Sequence, residues 1–121
     1  MPLLADWIQL VGNTSITISA VSGSEGVPVP LNGNPFNTAG RNASQTALLM
    51  FSVRDLIGSA KVFINDAEVG MITKSEPGFW STQMISVPGN VLKETLNKLV
   101  LKSVTDQFSL KNLMCFFHQE I

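Results

Sequence analysis

Apolar residues in this chain recur mostly in short runs of two-residue period, and the runs are closed by glycine, proline, asparagine or aspartate. The densest region lies between Thr46 and Ile72. Thr46 to Val53 (Thr-Ala-Leu-Leu-Met-Phe-Ser-Val) is rich in strand formers and too short for a typical globular helix, so it predicts a central strand. In Ala60-Lys61-Val62-Phe63-Ile64-Asn65, side chains on a pleated strand alternate between faces. Ala60, Val62 and Ile64 therefore share one face, which should belong to the core. Asn65-Asp66 suits the left-handed backbone of a tight turn, and Val69 to Ile72 resumes an extended pattern, which predicts a β-hairpin.

The flanking segments follow the same logic. Trp7 to Val11 predicts a first strand, Gly12-Asn13 a turn, and Ser15 to Val21 a second strand with Ile16, Ile18 and Ala20 on one face; the two are expected to pair as a hairpin. Ser22 to Ser44 is rich in Gly, Pro, Asn and Ser and predicts a long loop with an edge strand around Val27 to Leu31. Phe79 to Val87 predicts a strand that Pro88-Gly89 ends. From Val91 to Leu101 the leucine spacing fits either a helix or a strand; it is read as a short helical turn at Val91 to Thr95 and then a strand from Leu99 to Val104. Phe108 to His118 predicts the last strand, with Phe108, Leu110, Asn112, Met114 and Phe116 on one side. About seven or eight short strands without intervening helices imply an all-β antiparallel sandwich rather than a parallel α/β sheet.

A chain of 121 residues is read as one domain, 1–121, long enough to bury a core without disulfide or metal support. Only 14% of residues are charged, against about 25% in ordinary soluble chains, and the net charge is −1. Lysine and arginine are scattered along the sequence, so a nucleic-acid partner is not expected. No apolar run has membrane-spanning length and no leader-like segment opens the chain; the expected location is cytoplasmic, without a membrane partner. Hydrophobic residues make up 45%, and Leu48 and Met50 lie opposite Leu49 and Phe51 on the central strand, so both of its faces are apolar. One face must meet something besides the opposing sheet, which makes a homo-oligomer an expectation.

Catalytic constellations are thin, and the chain is read as a non-enzyme needing no cofactor. Cys115 is the single cysteine and sits among Met114, Phe116 and Phe117, the setting of an inert buried thiol. His118 is the single histidine, expected to be partly exposed, and no nucleophile-elbow sequence precedes it. One Cys and one His do not supply a zinc site. Gly23-Ser24-Glu25-Gly26 lacks the following lysine and helix of a phosphate-cradling loop.

Ala60 to Asn65 followed by Val69-Gly70, Trp80, Ile85-Ser86-Val87-Pro88, Leu92-Lys93 and Asn97-Lys98-Leu99-Val100-Leu101 resembles the galactose-binding-domain-like jelly rolls, over roughly Thr46 to Phe117. Asp66 stands where that superfamily often has glycine, and Thr95-Leu96 replaces its usual glycine-containing turn. The resemblance implies a jelly-roll sandwich and either carbohydrate recognition or assembly. Sandwiches of that superfamily often hold a structural calcium, to which loop oxygens of Asp55, Asp66, Glu68 or Asp106 could contribute; solvated surface carboxylates are the commoner outcome, and no metal site is assigned.

Sugars present a C–H face that packs on flat rings and hydroxyls that need polar partners. Trp80, Phe79 or Phe36 together with Asn34 and Arg41 form a chemically sensible set. The long loop from Asn32 to Arg41 carries three of these, so Asn34, Phe36, Arg41 and Trp80 are the candidate contacts for a neutral glycan. Burial of Phe36 and of Trp80 in the core is the alternative for each ring. Two function classes follow: a non-catalytic carbohydrate-binding-like module, or a homo-oligomeric assembly domain without a small-molecule ligand.

Overall fold

The structure is a computed structural model that describes residues 3–22 and 25–120. Gly23 and Ser24 of the glycine-bearing stretch considered above lie outside those residues. The chain folds as two antiparallel sheets face to face. The strands are β1 (Leu3–Val11), β2 (Ile16–Ile18), β3 (Gly26–Val29), β4 (Ala47–Arg54), β5 (Ala60–Ile64), β6 (Ala67–Ile72), β7 (Ser81–Val87), β8 (Leu99–Lys102) and β9 (Phe108–Glu120). One sheet has the order β1-β9-β4-β7, with β2 also paired to β9, and the other has the order β3-β8-β5-β6. Among the described residues no helix is long and apolar enough to cross a membrane.

Alternation decides what fills the space between the sheets. In β4, Ala47, Leu49, Phe51 and Val53 are buried while the residues between them are half-buried, and in β5 Ala60, Val62 and Ile64 are buried as expected. Leu99 and Leu101 from β8 and Ile72 from β6 join the β5 residues on the inner face of the four-stranded sheet, opposite the β4 residues. Burying each aliphatic side chain contributes about 1.5–3 kcal/mol, so this period-two layer supplies the main driving force for folding.

The predicted hairpin is β5 and β6, joined at Asn65 and Asp66 with φ of 51° and 69°. Two consecutive positive φ values match the twist of the flanking strands, and Asn and Asp tolerate them better than most residues. The edge strand around Val27 is β3, where Pro28 is tolerated because only β8 pairs with it.

Three local expectations differ from the structure. β1 and β2 do not pair with each other; they lie end to end along β9, β1 from Leu3↔Glu120 to Val11↔Leu113 and β2 from Ile16↔Leu110 to Ile18↔Phe108. Ala20 falls beyond β2 and is exposed. The helical turn lies earlier than Val91 to Thr95, as one 3-10 turn at Gly89–Val91. Leu96, exposed and at φ 59°, is incompatible with continuing a helix there.

A third difference positions the candidate site. Asn112 adopts φ 53° and donates its N–H to the carbonyl of Gly12, and the register of β9 shifts against both β1 and β4 at this point. This β-bulge inverts the alternation. Phe108 and Leu110 face the core before it; Leu113, Cys115 and Phe117 face the core after it. Met114 and Phe116 therefore point outward, opposite to Phe108 and Leu110.

Candidate functional site

Registers across the five-stranded sheet define its outer face row by row. Trp7 pairs with Phe116, Phe116 with Leu48, and Leu48 with Ser86. The neighbouring outward row runs Gln9, Met114, Met50 and Met84. Between these two rows, Ile8, Cys115, Leu49 and Ile85 form the intervening row, which faces the core. Trp7 is 55% exposed and Met84 62%, so the outer rows form an apolar platform open to solvent. Farther along, Ser52, Lys111 and Thr82 share an outward row, and the Lys111 ammonium lies 4.3 Å from the centre of the Trp80 ring. A cation–π attraction of this kind contributes about 0.5–1 kcal/mol at an exposed site. Both tryptophans of the chain thus belong to one sheet face, near its opposite ends.

The four sequence candidates are not brought together. Trp80 is half-buried on this outer face. Phe36 is 6% exposed and belongs to the core cluster, so its ring offers no stacking surface. Its backbone forms a bridge with Asn97, which ties the loop to the chain just before β8. Arg41 donates from Nε to the carbonyl of Leu92 at 2.6 Å, which ties its guanidinium to the neighbouring loop. Asn34 is exposed and borders a hollow of about 250 Å³ with Lys98 and Val100, on the four-stranded side of the sandwich. Phe79 is exposed at the turn before β7.

Trp7 is the functional candidate that sequence reasoning assigned to a strand without a role. Its signal is local: Trp7 and Gln9 alternate with Ile8 and Leu10, which pack on the core. An aromatic and an amide on the polar phase of a strand are the residues to examine for ligand contact.

The loop that carries Phe36 is held by Asn97, whose side chain is fully buried. Its Oδ1 accepts from the Lys93 N–H at 2.7 Å and from Asn65 Nδ2 at 2.9 Å, and its Nδ2 donates toward Phe36 O, Thr38 Oγ1 and Lys93 O. This asparagine belongs to the Asn97 to Leu101 element that carried the superfamily resemblance, and its task is structural: every polar atom of the amide is used inside the fold.

Two loop carboxylates are likewise engaged. Asp106 accepts from the N–H groups of Ile57 and Gly58 at 2.8 and 3.0 Å and from Thr105 Oγ1 at 2.7 Å. The Ile57 N–H first, then the Thr105 hydroxyl, holds its carboxyl below the usual aspartate value of 3.8, with the Gly58 N–H adding to the effect. Asp55 accepts from the Gly78 N–H at 2.8 Å. Among the described residues no three Asp, Glu, His or Cys side chains gather as a metal site would require. Burial alone pushes the Cys115 thiol up to about 12, so it stays a neutral packing group. His118 is half-buried on the outer face in register with Ala5. A broad hollow of about 580 Å³ near Val21 and Val104 offers Glu25 and small polar groups but no ring, so it lacks the lining expected of a sugar site.

No protein-family model and no curated protein matches the chain. Its architecture does match solved structures. A family 29 carbohydrate-binding module complexed with cellulohexaose is similar over 93% of this chain and 91% of its own, at 14% identity and TM-score 0.60. Another family 29 structure, complexed with mannohexaose, covers 93% and 92% at 14% identity and TM-score 0.52. The C-terminal family 6 carbohydrate-binding module of a marine laminarinase from Zobellia galactanivorans covers 93% and 99% at 15% identity and TM-score 0.56. At such identities the likeness is one of fold: the chain has the jelly-roll β-sandwich of carbohydrate-binding modules of families 29 and 6.

Proposed function

We propose that this protein is a non-catalytic carbohydrate-binding module that holds a neutral glycan chain against the outer face of its five-stranded sheet. The observation that carries the reading is the common placement of Trp7 and Trp80 on that face, with Phe116, Leu48 and Met50 between them. Three strand spacings separate the β1 and β7 columns, about 14 Å, which leaves room for an extended oligosaccharide rather than a single sugar. Flat rings accept the C–H face of a pyranose, while Gln9, Ser86 and Thr82 offer polar groups at the margins. The fold supports the reading, since modules of this architecture have been solved with cellulohexaose and mannohexaose.

Titration with cellulohexaose and mannohexaose by calorimetry tests it. Trp7→Ala is expected to weaken binding about tenfold or more, the effect of truncating an aromatic anchor, while the melting temperature stays near that of the unmodified protein because the ring is 55% exposed. Binding that survives Trp7→Ala unchanged would remove this face as the site. The exposed Met84 beside Met50 and Met114 favours a second reading, in which two copies stack through the same face. Sedimentation at micromolar concentration separates the two: a dimer that Trp7→Ala and Met84→Lys dissociate, with neither hexaose bound, would replace the glycan reading by assembly.

A further inference from the structure

The outer face of the four-stranded sheet carries a different chemistry. Lysines that are scattered in sequence converge there because outward positions of β8 and β5 pair. Lys61 is the direct cross-strand partner of Lys102, Phe63 of Val100, and Asn65 meets Lys98 through two hydrogen bonds, Asn65 N to Lys98 O and Lys98 N to Asn65 Oδ1. Lys93 and Leu96 rise beside these pairs and close a groove of about 380 Å³ over Phe63. Lys102 lies over the Phe63 ring, its ammonium 4.7 Å from the ring centre. The acids nearby are Asp66, which lines the groove, and Glu68, which pairs with Phe63 from β6. Among the described residues the ion pair formed is Arg54 with Asp55, so none of the four lysines is within 4.0 Å of a carboxylate.

Like charges placed directly opposite on neighbouring strands repel, and the Lys61–Lys102 pair has no internal counter-charge. A bound anion relieves that repulsion. We propose that this groove is a second binding site, on the opposite side of the sandwich from Trp7, for an anionic saccharide bearing carboxylate or sulfate groups. The anionic groups meet Lys93, Lys98 and Lys102, which line the groove, with Lys61 paired to Lys102 at its margin, and neutral hydroxyls meet Asn65 and Asp66. Single-stranded nucleic acid binds by stacking its bases on open aromatic faces, and the one ring lining this groove, Phe63, already carries the Lys102 ammonium over it. Asn34 borders the adjoining hollow beside Lys98 and extends the polar rim.

Affinity electrophoresis of the full chain in gels containing polygalacturonate, dextran sulfate or uncharged dextran, with a single-stranded oligothymidylate in competition, tests the proposal. Retardation is expected with polygalacturonate or dextran sulfate and not with dextran, and the comparison of the two identifies the preferred anion. Raising the salt should weaken it, since exposed charges are screened within about 8 Å at physiological ionic strength. The double variant Lys98→Glu/Lys102→Glu should lose at least about tenfold in affinity with its circular dichroism spectrum retained, and Trp7→Ala should bind the polyanion as the unmodified protein does. The last comparison keeps this site separate from the neutral-glycan face. No retardation by either polyanion, retardation indifferent to the double variant, or tighter binding of oligothymidylate than of both saccharides would each overturn the proposal.

Discussion

Asn97→Ala is the substitution for which the structure specifies the greatest cost at a polar position. Several partners survive the change: Phe36 O still accepts the Asn97 N–H at 2.8 Å, Lys93 O still accepts Thr38 Oγ1 at 2.6 Å, and Asn65 Nδ2 still donates to Val91 O at 2.9 Å. The Lys93 N–H loses its 2.7 Å acceptor outright. Leaving that donor unpaired in a partly buried site costs about 1–3 kcal/mol, and the loss of two or three satisfied amide bonds adds about 0.5–1.5 kcal/mol each. Two Nδ2 protons serve three acceptors in the native amide, so one bond is shared and the lower half of that range applies. The expected loss is about 3–4 kcal/mol against a total of about 5–15 kcal/mol. Guanidinium unfolding followed by circular dichroism reads it as a fall in midpoint without a change in slope. Asn37→Ala is the matched control, because Asn37 is exposed and accepts one bond from the Leu96 N–H at 2.9 Å; it should cost less than about 1 kcal/mol. If Asn97→Ala costs no more than Asn37→Ala, the hub does not hold the loop and the reasoning fails.

Two further outcomes follow from the titratable groups. The Asp106 carboxyl lies below its ordinary value in the folded state, so the stability it contributes is fully present above about pH 4 and is lost as pH falls through the lowered folded value. The melting temperature of Asp106→Asn should therefore lie below that of the unmodified protein at pH 6 and converge with it in acid; a gap that widens in acid would contradict the assignment. Cys115, fully buried with its thiol pushed up to about 12, should resist iodoacetamide at pH 8 in the native protein and react once unfolded in urea; equal rates in both states would show the thiol exposed.

Core positions were legible because burial sorts side chains by hydrophobicity, and the period of that sorting is visible without coordinates. Ala60, Val62 and Ile64 needed nothing but alternation, and the β5–β6 turn needed only two residues that accept positive φ. Pairing was less legible. Neighbouring strands in sequence usually pair, which predicts a β1–β2 hairpin, but β9 is long enough to accept β1 along one stretch and β2 along another. The leucines at 92, 96 and 99 mimic a helical stripe. Only the exposure of Leu96 and its left-handed backbone show that the stripe is two buried anchors with a turn between them.

Both candidate faces depend on register rather than on periodicity, and register is set by residues far apart in the chain. Unbroken alternation from Phe108 would keep Met114 and Phe116 with Phe108 and Leu110 in the core and send Leu113, Cys115 and Phe117 to solvent. The bulge at Asn112 reverses this, giving Leu113, Cys115 and Phe117 to the interior and Met114 and Phe116 to the platform. Asparagine inside an apolar strand was the one local sign, because it tolerates the positive φ that a bulge requires. The lysine groove gave no local sign at all. Lys61 and Lys102 become neighbours only when β5 and β8 pair, so a sequence that looks evenly charged folds into a sandwich with one apolar and one basic outer face. Outward positions carry no packing requirement, and for that reason their chemistry is free to be set by what they bind.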